Sequence, residues 1–284
     1  MARSGYSRPG RPRRRDFALM LAVTATVAVT VSAGAVFYAQ SQADLAARQE
    51  AAAAAEAAQY QRQVRAAAEE EAAEAARREE ERISGLLDTS WPEDGPLTVA
   101  LYGDSISAGQ HSVSEASAFR SLLLGSLETR GEVNFIGRYF AGARIGDMAE
   151  KFSPYSDVDL ILMQLGLNDA FKETPTGEFA ISYRAYLASL KAASPDASVL
   201  CLGVWGMNDA QNRPYNEQIG AVCSEFGGKY IDLSTTFADM STHGPAGNVY
   251  WQGETDEGHP NDEGHARIAD LIAARLPQLI PLEG

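Results

Sequence analysis

Residues 17–38 form a run of 22 residues without a single charged side chain, and this run constrains the chain most strongly. As a helix rising about 1.5 Å per residue it would span roughly 33 Å, enough for a bilayer core of about 30 Å. Six arginines lie within residues 1–16, a basic leader. Because basic flanks stay in the cytoplasm, we predict a transmembrane signal anchor with a cytoplasmic N-terminus and an extracytoplasmic remainder. The alternative is a signal peptide cleaved near Ala33 and secretion of the rest.

Residues 43–82 have the composition of an isolated helix. Alanine fills 17 of these 40 positions, Glu, Gln and Arg supply most of the others, and Gly and Pro are absent. Such residues favour a helix, so we predict a helical stalk. Leu45, Tyr60 and Val64 are too sparse for a sustained heptad seam. Self-association through close-packed alanines, as in a coiled coil, and a solvated helix without a partner therefore both stay open. Residues 83–96 contain Gly, Pro and Asp and predict a linker.

The charge of the chain limits its partners. The formal net charge is −14 at pH 7, and residues 83–284 alone carry 27 acidic and 12 basic side chains. A general nucleic-acid binder would present a basic face to phosphates, so this class is excluded. Two cysteines, Cys201 and Cys223, are too few for a disulfide scaffold or a four-cysteine zinc site. A disulfide between them and two buried thiols are both compatible with the sequence.

Residues 97–284 alternate between short apolar runs and amphipathic helical patterns. This alternation predicts an α/β domain with a parallel sheet covered on both faces, whose ligands bind at the carboxyl ends of the strands. The predicted strands are residues 97–102, 133–136, 160–165, 199–204 and 229–233, and the predicted helices are 116–129, 179–193, 215–226 and 263–276.

Polar motifs follow several of these strands. Ser105, in G-D-S, follows the first strand, where a tight turn into a helix start would expose a nucleophile beside backbone donors. Gly146, in R-I-G-D, follows the second strand, and Asn168, in G-L-N-D, follows the third. Asp256 precedes His259 by three residues in D-E-G-H-P, a spacing at which a carboxylate can orient an imidazole for proton transfer.

In this order, the four motifs resemble the GDSL, or SGNH, family of serine hydrolases over roughly residues 95–280. The resemblance implies a three-layer α/β/α, flavodoxin-like fold with about five parallel strands, and ester hydrolysis through an acyl-enzyme without metal or cofactor. It implies Ser105 as nucleophile, His259 as base and Asp256 as the residue that orients His259. The oxyanion donors would be the N–H groups of Ser105 and Gly146 and the side chain of Asn168. Gly142, four residues upstream on the same loop, competes with Gly146, and Ile145 and Met148 depart from the Ser and Thr frequent in the family.

The polar and aromatic residues of these motifs and of the segments around them also have structural interpretations without a catalytic role. Ser105 as a helix cap and Asn168 as a turn residue are the alternatives to their catalytic roles. A metal site joining Asp256 and His259 with Glu254, Asp262 and His265 is disfavoured by the histidine spacing. We expect His265 to pack in a helix and His111 to lie in a solvated loop, with a place at the pocket rim as the alternative. The sequence assigns no role to His243. Trp205 is equally compatible with a place in the core and a place in the pocket wall. Asn208 and Asp209 resemble the N-D pair of the family motif but follow a different strand.

These observations predict a membrane-tethered, extracytoplasmic serine esterase that acts on a cell-envelope glycan or glycolipid. That the acyl group removed is short is implied by the resemblance to the family alone. A lipase or lysophospholipase and an O-acyltransferase would use the same residues. A non-catalytic binding protein on the same fold is disfavoured, because it would not need to keep Ser105, Asn168, Asp256 and His259.

Overall fold

The computed structural model describes residues 14–276 and divides the chain into two units, Met1–Arg78 and Glu79–Gly284. The predicted leader and the predicted hydrolase domain both extend beyond this range. Residues 1–13 of the leader and residues 277–284 of the domain lie outside the described residues.

The described part of the first unit is helix α1 (Arg14–Ser84), which is 71 residues long. Its last six residues belong to the second unit. The predicted membrane segment and stalk are thus one uninterrupted helix, because residues 39–42 between them contain neither Gly nor Pro. An 18-residue window near its N-terminus reaches a mean hydropathy of 2.0, so the helix is long and apolar enough to cross a membrane. The hydroxyls of Thr24, Thr26 and Thr30 donate to carbonyls one turn earlier, which leaves no unsatisfied hydroxyl on these threonines.

The second unit is built on a five-stranded parallel sheet with the strand order β2-β1-β3-β4-β5. Every predicted strand is present, although the third to fifth strands end one or two residues earlier than predicted. The order reverses between β1 and its neighbours β2 and β3, which opens a crevice beyond the carboxyl ends of β1 and β3. The strands are β1 (Leu97–Gly103), β2 (Val133–Tyr139), β3 (Leu160–Gln164), β4 (Ser198–Leu202) and β5 (Lys229–Ile231).

Helices cover both faces of this sheet, each over its own apolar core, as expected of a three-layer α/β/α fold. One core includes Met163, Phe179 and Ile219, and the other includes Leu101, Phe119 and Ile268. Short segments join the larger helices, among them the antiparallel pair β6 (Val249–Tyr250) and β7 (Gly253–Glu254). The helices are α2 (Phe119–Glu128), α3 (Ile145–Lys151), α4 (Leu167–Phe171), α5 (Thr176–Ala193), α6 (Arg213–Glu225), α7 (Ser234–Phe237) and α8 (Asp262–Ala273).

The two cysteines form a disulfide that connects β4 to α6. Cys201 and Cys223 are both fully buried, and their Cα atoms are 6.2 Å apart. The bond closes a loop across a sequence separation of 22 residues, so it restricts the unfolded chain.

The double variant Cys201→Ala/Cys223→Ala is expected to lose about 3 kcal/mol in the free energy of unfolding, by the loop-closure relation for a loop of this size. Denaturant unfolding of the variant and of the oxidised and reduced wild-type protein measures this loss. A variant as stable as the oxidised protein would show that the bond does not hold α6 to the sheet.

Candidate active site

Ser105 lies on a tight turn directly after β1. The turn is closed by the N–H of Gln110, which donates to the Ser105 carbonyl over 3.0 Å. The predicted helix start is not found at this position, where residues 105–110 form turns. Gly103 is required at the end of β1, because a Cβ at this position would lie 1.9 Å from the Ser107 hydroxyl oxygen. The Ser107 hydroxyl in turn donates to Gln164 at the end of β3 over 2.8 Å, which ties the turn to the sheet.

A chain of hydrogen bonds joins Ser105 to the loop before α8. The Ser105 Oγ lies 2.9 Å from Nε2 of His259, and Nδ1 of His259 lies 2.8 Å from Oδ2 of Asp256. The loop is anchored by Asn261, which caps α8 by accepting a hydrogen bond from the Gly264 N–H. The structure thus brings together three residues predicted from the sequence, two of them 154 positions apart.

The carboxylate of Asp256 is held by its own loop. Its Oδ1 accepts hydrogen bonds from the backbone N–H groups of Gly258 and His259, at 2.7 and 2.9 Å. Partial burial raises the pKa of Asp256, but these two bonds and the His259 imidazole outweigh it and lower the pKa to about 2. Asp256 is therefore ionised at neutral pH and accepts a hydrogen bond from the Nδ1–H of His259.

Asn168 lies at the start of α4, across the crevice from His259. The helix begins after Gly166, whose φ of +120° is a conformation that favours glycine. The Asn168 amide donates to the Ala143 carbonyl over 3.0 Å and to the Asp104 carboxyl over 3.4 Å. Full burial raises the pKa of Asp104 to about 7.

The two candidate glycines after β2 lie in different surroundings. The Ile145 N–H donates to Asp169 over 3.1 Å, which fixes the start of α3 and places Gly146 in its first turn. There Gly146 borders a depression between α3 and α5. Gly142, with a φ of +80°, lines the cleft that Ser105 and Asn168 also line. Gly146 as an oxyanion donor therefore stays a prediction, with Gly142 as its alternative.

The cleft around these residues has a volume of about 600 Å³, within the usual range for small-molecule sites. Its apolar lining comes from Leu167, Phe171, Trp205, Met207 and Phe237. Its polar lining comes from the loop after β4 and from the turn after β1, with side chains of Asp209, Gln211, Asn212 and Gln110.

Comparison with known proteins agrees with this geometry. The sequence pattern of the GDSL-like lipase/acylhydrolase family matches residues 101–267, more than half of the chain. This chain belongs to that family. It is an ester hydrolase of the SGNH type. A search of curated proteins finds no match.

Solved structures with similar folds include several esterases. A carbohydrate esterase family 2 enzyme from Corynascus thermopiles (Myceliophthora fergusii) is 15% identical, with a TM-score of 0.52 over 66% of this chain and 68% of that one. The acetyl xylan esterase AlAXEase is 19% identical, with a TM-score of 0.49 over 62% and 98%. TesA is also 19% identical, with a TM-score of 0.49 over 64% and 99%. The likeness to the Corynascus enzyme shows a shared fold.

The prediction that His111 lies in a solvated loop is wrong for this GDSL-like hydrolase. The residue is buried and only 3% exposed. Its Nδ1 accepts a hydrogen bond from the Asp256 N–H over 3.3 Å, and its ring centroid is 4.5 Å from that of His259. In the sequence, the one indication that His111 belongs to the site is its position shortly after the G-D-S motif. Its contact with Asp256 joins residues 145 positions apart and could not be read from the sequence.

Trp205 and His243 both contact the loop that carries Asp256 and His259. Trp205 is buried and also lines the cleft, so both of its predicted roles hold, and its Nε1 donates to the Gly258 carbonyl over 2.9 Å. His243, to which the sequence analysis assigns no role, places Nδ1 2.8 Å from the Glu257 carbonyl oxygen.

The metal site weighed as an alternative in the sequence analysis would include His265, but the structure does not place this residue with Asp256 and His259. His265 is buried against α2, where its Nδ1 accepts a hydrogen bond from the Phe119 N–H. Burial lowers the pKa of His265 to about 4, so it is a neutral packing residue. In the described part of the chain, the ligand atoms close enough for a metal belong to His111, Asp256 and His259. Of these residues, His259 and the Asp256 carboxylate already hydrogen-bond each other, and His259 also hydrogen-bonds Ser105.

Proposed function

We propose that Ser105, His259 and Asp256 form a catalytic triad that hydrolyses carboxylic esters through an acyl-enzyme. The observation that carries this proposal is the continuous chain of hydrogen bonds, 2.9 Å from Ser105 to His259 and 2.8 Å from His259 to Asp256. Both distances are those of well-formed hydrogen bonds. Ser105 thus contacts the base that would take its proton, and the Asp256 carboxylate orients that base.

In the first half of the reaction, the Ser105 Oγ attacks the ester carbonyl carbon while its proton passes to Nε2 of His259. The tetrahedral intermediate collapses as His259 gives that proton to the departing alcohol oxygen, which leaves the acyl group on Ser105. A water molecule then replaces the alcohol, gives its proton to His259 and attacks the acyl-enzyme. Collapse returns the proton to Ser105 Oγ and releases the carboxylic acid. Asp256 keeps His259 in the tautomer that accepts at Nε2.

The oxyanion of the intermediate would be stabilised by the Asn168 amide, the Ser105 N–H and a backbone N–H of the segment after β2. Gly146, the predicted donor, lies in the first turn of α3, and Gly142, the alternative, lines the cleft. Of the two Asn168 hydrogen bonds, the 3.4 Å contact with Asp104 is long, so this N–H can turn to the oxyanion at little loss.

Asn168→Ala is expected to lower kcat by about 10²- to 10³-fold with a much smaller change in KM, because this donor acts mainly on the charge that develops in the transition state. Steady-state kinetics on p-nitrophenyl acetate measures both constants. Asn212→Ala, which also alters an amide in the cleft lining, is the matched control. An Asn168→Ala enzyme with an unchanged kcat would exclude Asn168 as an oxyanion donor.

We further propose that the substrate is a short acyl ester on a glycan or glycolipid of the cell envelope. Polar side chains on one part of the cleft suit a sugar alcohol, and apolar ones beside them suit a small acyl group. The Corynascus enzyme that shares this fold is a carbohydrate esterase. An O-acyltransferase would use the same residues with a sugar hydroxyl in place of water, and product analysis with and without an acceptor sugar separates the two reactions.

A lipid substrate is the second candidate, favoured by Phe171 and Met207. These cleft residues are 71% and 49% exposed, and they could carry a long acyl chain out of the cleft. Turnover of p-nitrophenyl acetate, butyrate, octanoate and palmitate by the full chain in detergent distinguishes the candidates. A preference for acetate supports the glycan esterase, and a preference for octanoate or palmitate would replace it with a lipase or lysophospholipase.

We place the hydrolase unit outside the cytoplasm, tethered by the apolar part of α1 with residues 1–16 inside. Arginines before the apolar run support this orientation, and so does the disulfide, which persists in oxidising compartments. Protease added to intact cells is expected to cleave the hydrolase unit and leave a membrane-bound fragment. Secretion after signal cleavage would instead release the unit into the medium.

A further inference from the structure

His111 is a buried imidazole next to the proposed triad for which the reaction above has no step. The Asp256 N–H donates to its Nδ1 over 3.3 Å, and the same Nδ1 is 3.6 Å from Oδ1 of Asp256. Its ring is tilted 50° against that of His259, with the centroids 4.5 Å apart. His111 therefore touches both the base and the residue that orients the base.

The hydrogen bond from Asp256 determines the protonation of His111. An imidazole nitrogen that accepts an N–H carries no proton, so the single proton of neutral His111 lies on Nε2. Burial lowers the pKa of His111, and the neighbouring His259 lowers it further, although Asp256 opposes them. His111 is therefore a neutral acceptor at the pH at which an esterase of this kind would act.

The position is an unfavourable one for a residue that only fills space. The backbone of His111 has a φ of +70°, in the left-handed region that suits glycine or asparagine. Its Nε2 is buried and finds no hydrogen-bond partner among residues 14–276. Glycine would remove both penalties, whereas the imidazole present contacts Asp256 and His259.

Three ring side chains hold consecutive backbone groups of the loop that carries the triad. His111 accepts from the Asp256 N–H, a His243 nitrogen lies by the Glu257 carbonyl, and Trp205 donates to the Gly258 carbonyl. Of the three, His111 alone also has its ring paired with that of His259 in the described part of the chain.

We propose that His111 is a positioning residue, which holds the Asp256 backbone and limits the tilt of the His259 ring so that Asp256 Oδ2 and His259 Nδ1 stay aligned while His259 gains and loses its proton. This inference rests on the proposed triad. His111 itself neither contacts substrate nor transfers a proton.

The test compares two substitutions that both suit a left-handed backbone. His111→Gly removes the ring and is expected to lower kcat by about 10- to 100-fold with KM nearly unchanged, since small misplacements of a catalytic group carry costs of this order. In His111→Asn the amide oxygen takes the place of Nδ1 and accepts from Asp256, so most of kcat should return. Asp157→Gly, at another left-handed residue away from the cleft, is the control and should match the wild type.

A second readout reports on the bond between His259 and Asp256 directly. The proton on Nδ1 of His259 gives a far-downfield NMR resonance when it is held by a carboxylate. We expect this resonance in the wild type and in His111→Asn, and expect it to broaden or vanish in His111→Gly. Should the glycine variant not fold, His111→Ala also removes the ring and the acceptor, with less steric strain at this φ than a larger side chain, and is expected to lose kcat and the resonance in the same way.

All variants are made in the full chain, solubilised in detergent, and assayed well below their unfolding temperatures. A His111→Gly or His111→Ala enzyme with wild-type kcat, or a His111→Asn enzyme as slow as His111→Gly, would overturn the inference. Ser105→Ala is assayed beside them. If Ser105→Ala keeps its turnover, the proposed triad is wrong, whereas an inactive Ser105→Ala with a fully active His111→Gly contradicts only the role of His111.

Discussion

Ser105→Ala is expected to abolish ester hydrolysis, with kcat lowered by at least about 10⁴-fold, because the substitution removes the only nucleophile of the proposed acyl-enzyme route. The Ser105 hydroxyl makes one hydrogen bond, to His259, and its side chain lies at the floor of the cleft, so folding should be unaffected. Turnover of p-nitrophenyl acetate and labelling by a fluorophosphonate probe measure the two consequences. Both signals should be lost together.

Ser126→Ala is a suitable control for this variant. The Ser126 hydroxyl donates to a carbonyl one turn earlier in α2, away from the cleft, so its removal should leave turnover and labelling intact. Residual turnover above about 10⁻² of the wild type in purified Ser105→Ala would point to a different nucleophile, since triad variants retain far less.

Asp256→Asn is expected to lower kcat by about 10⁴-fold while the loop keeps its shape. The amide oxygen can still accept from the backbone N–H groups of Gly258 and His259, as Oδ1 does now. The amide nitrogen then faces Nδ1 of His259 as a donor. This contact forces the His259 proton onto Nε2, where it blocks acceptance of the Ser105 proton.

The comparison with Glu257→Gln isolates this effect, because Glu257 lies on the same loop and loses its charge without touching His259. We expect Glu257→Gln to retain most of kcat. Equal losses in the two variants would indicate that the charge of the loop matters rather than the tautomer of His259. Near-normal activity of Asp256→Asn would remove Asp256 from the triad.

Much of the fold could be predicted because parallel sheets have simple sequence patterns. Apolar runs such as the one ending at Gly103 are buried on both faces, and the Gly, Pro and Asp residues between the runs mark the turns. The predictions for Ser105 and Asn168 followed from their places after strands, and the prediction for the Asp256–His259 pair followed from its spacing of three residues. The family resemblance supported all four residues. The disulfide stayed open, because two cysteines separated by 22 residues can lie together or apart.

The less predictable parts of the site depend on contacts between distant segments. The sequence favours Gly146 over Gly142 as an oxyanion donor, but the positions of both depend on where Asp169, a residue of a different segment, fixes the start of α3. The burial of His111 follows from packing against a loop near the other end of the domain. Trp205 serves both core and cleft because it lies where β4 ends, a dual position that residue type alone does not reveal.

The separation of Ser105 and His259 by 154 residues has a consequence for the biogenesis of the enzyme. During synthesis from the N-terminus, the proposed nucleophile is made with the first strand and the proposed base only with the segment before the last helix. The strands of the sheet lie between them in sequence, and their pairing brings the two segments together. If the proposed triad is correct, ester hydrolysis begins only after nearly the whole unit has been synthesised and folded, and a nascent chain is inactive.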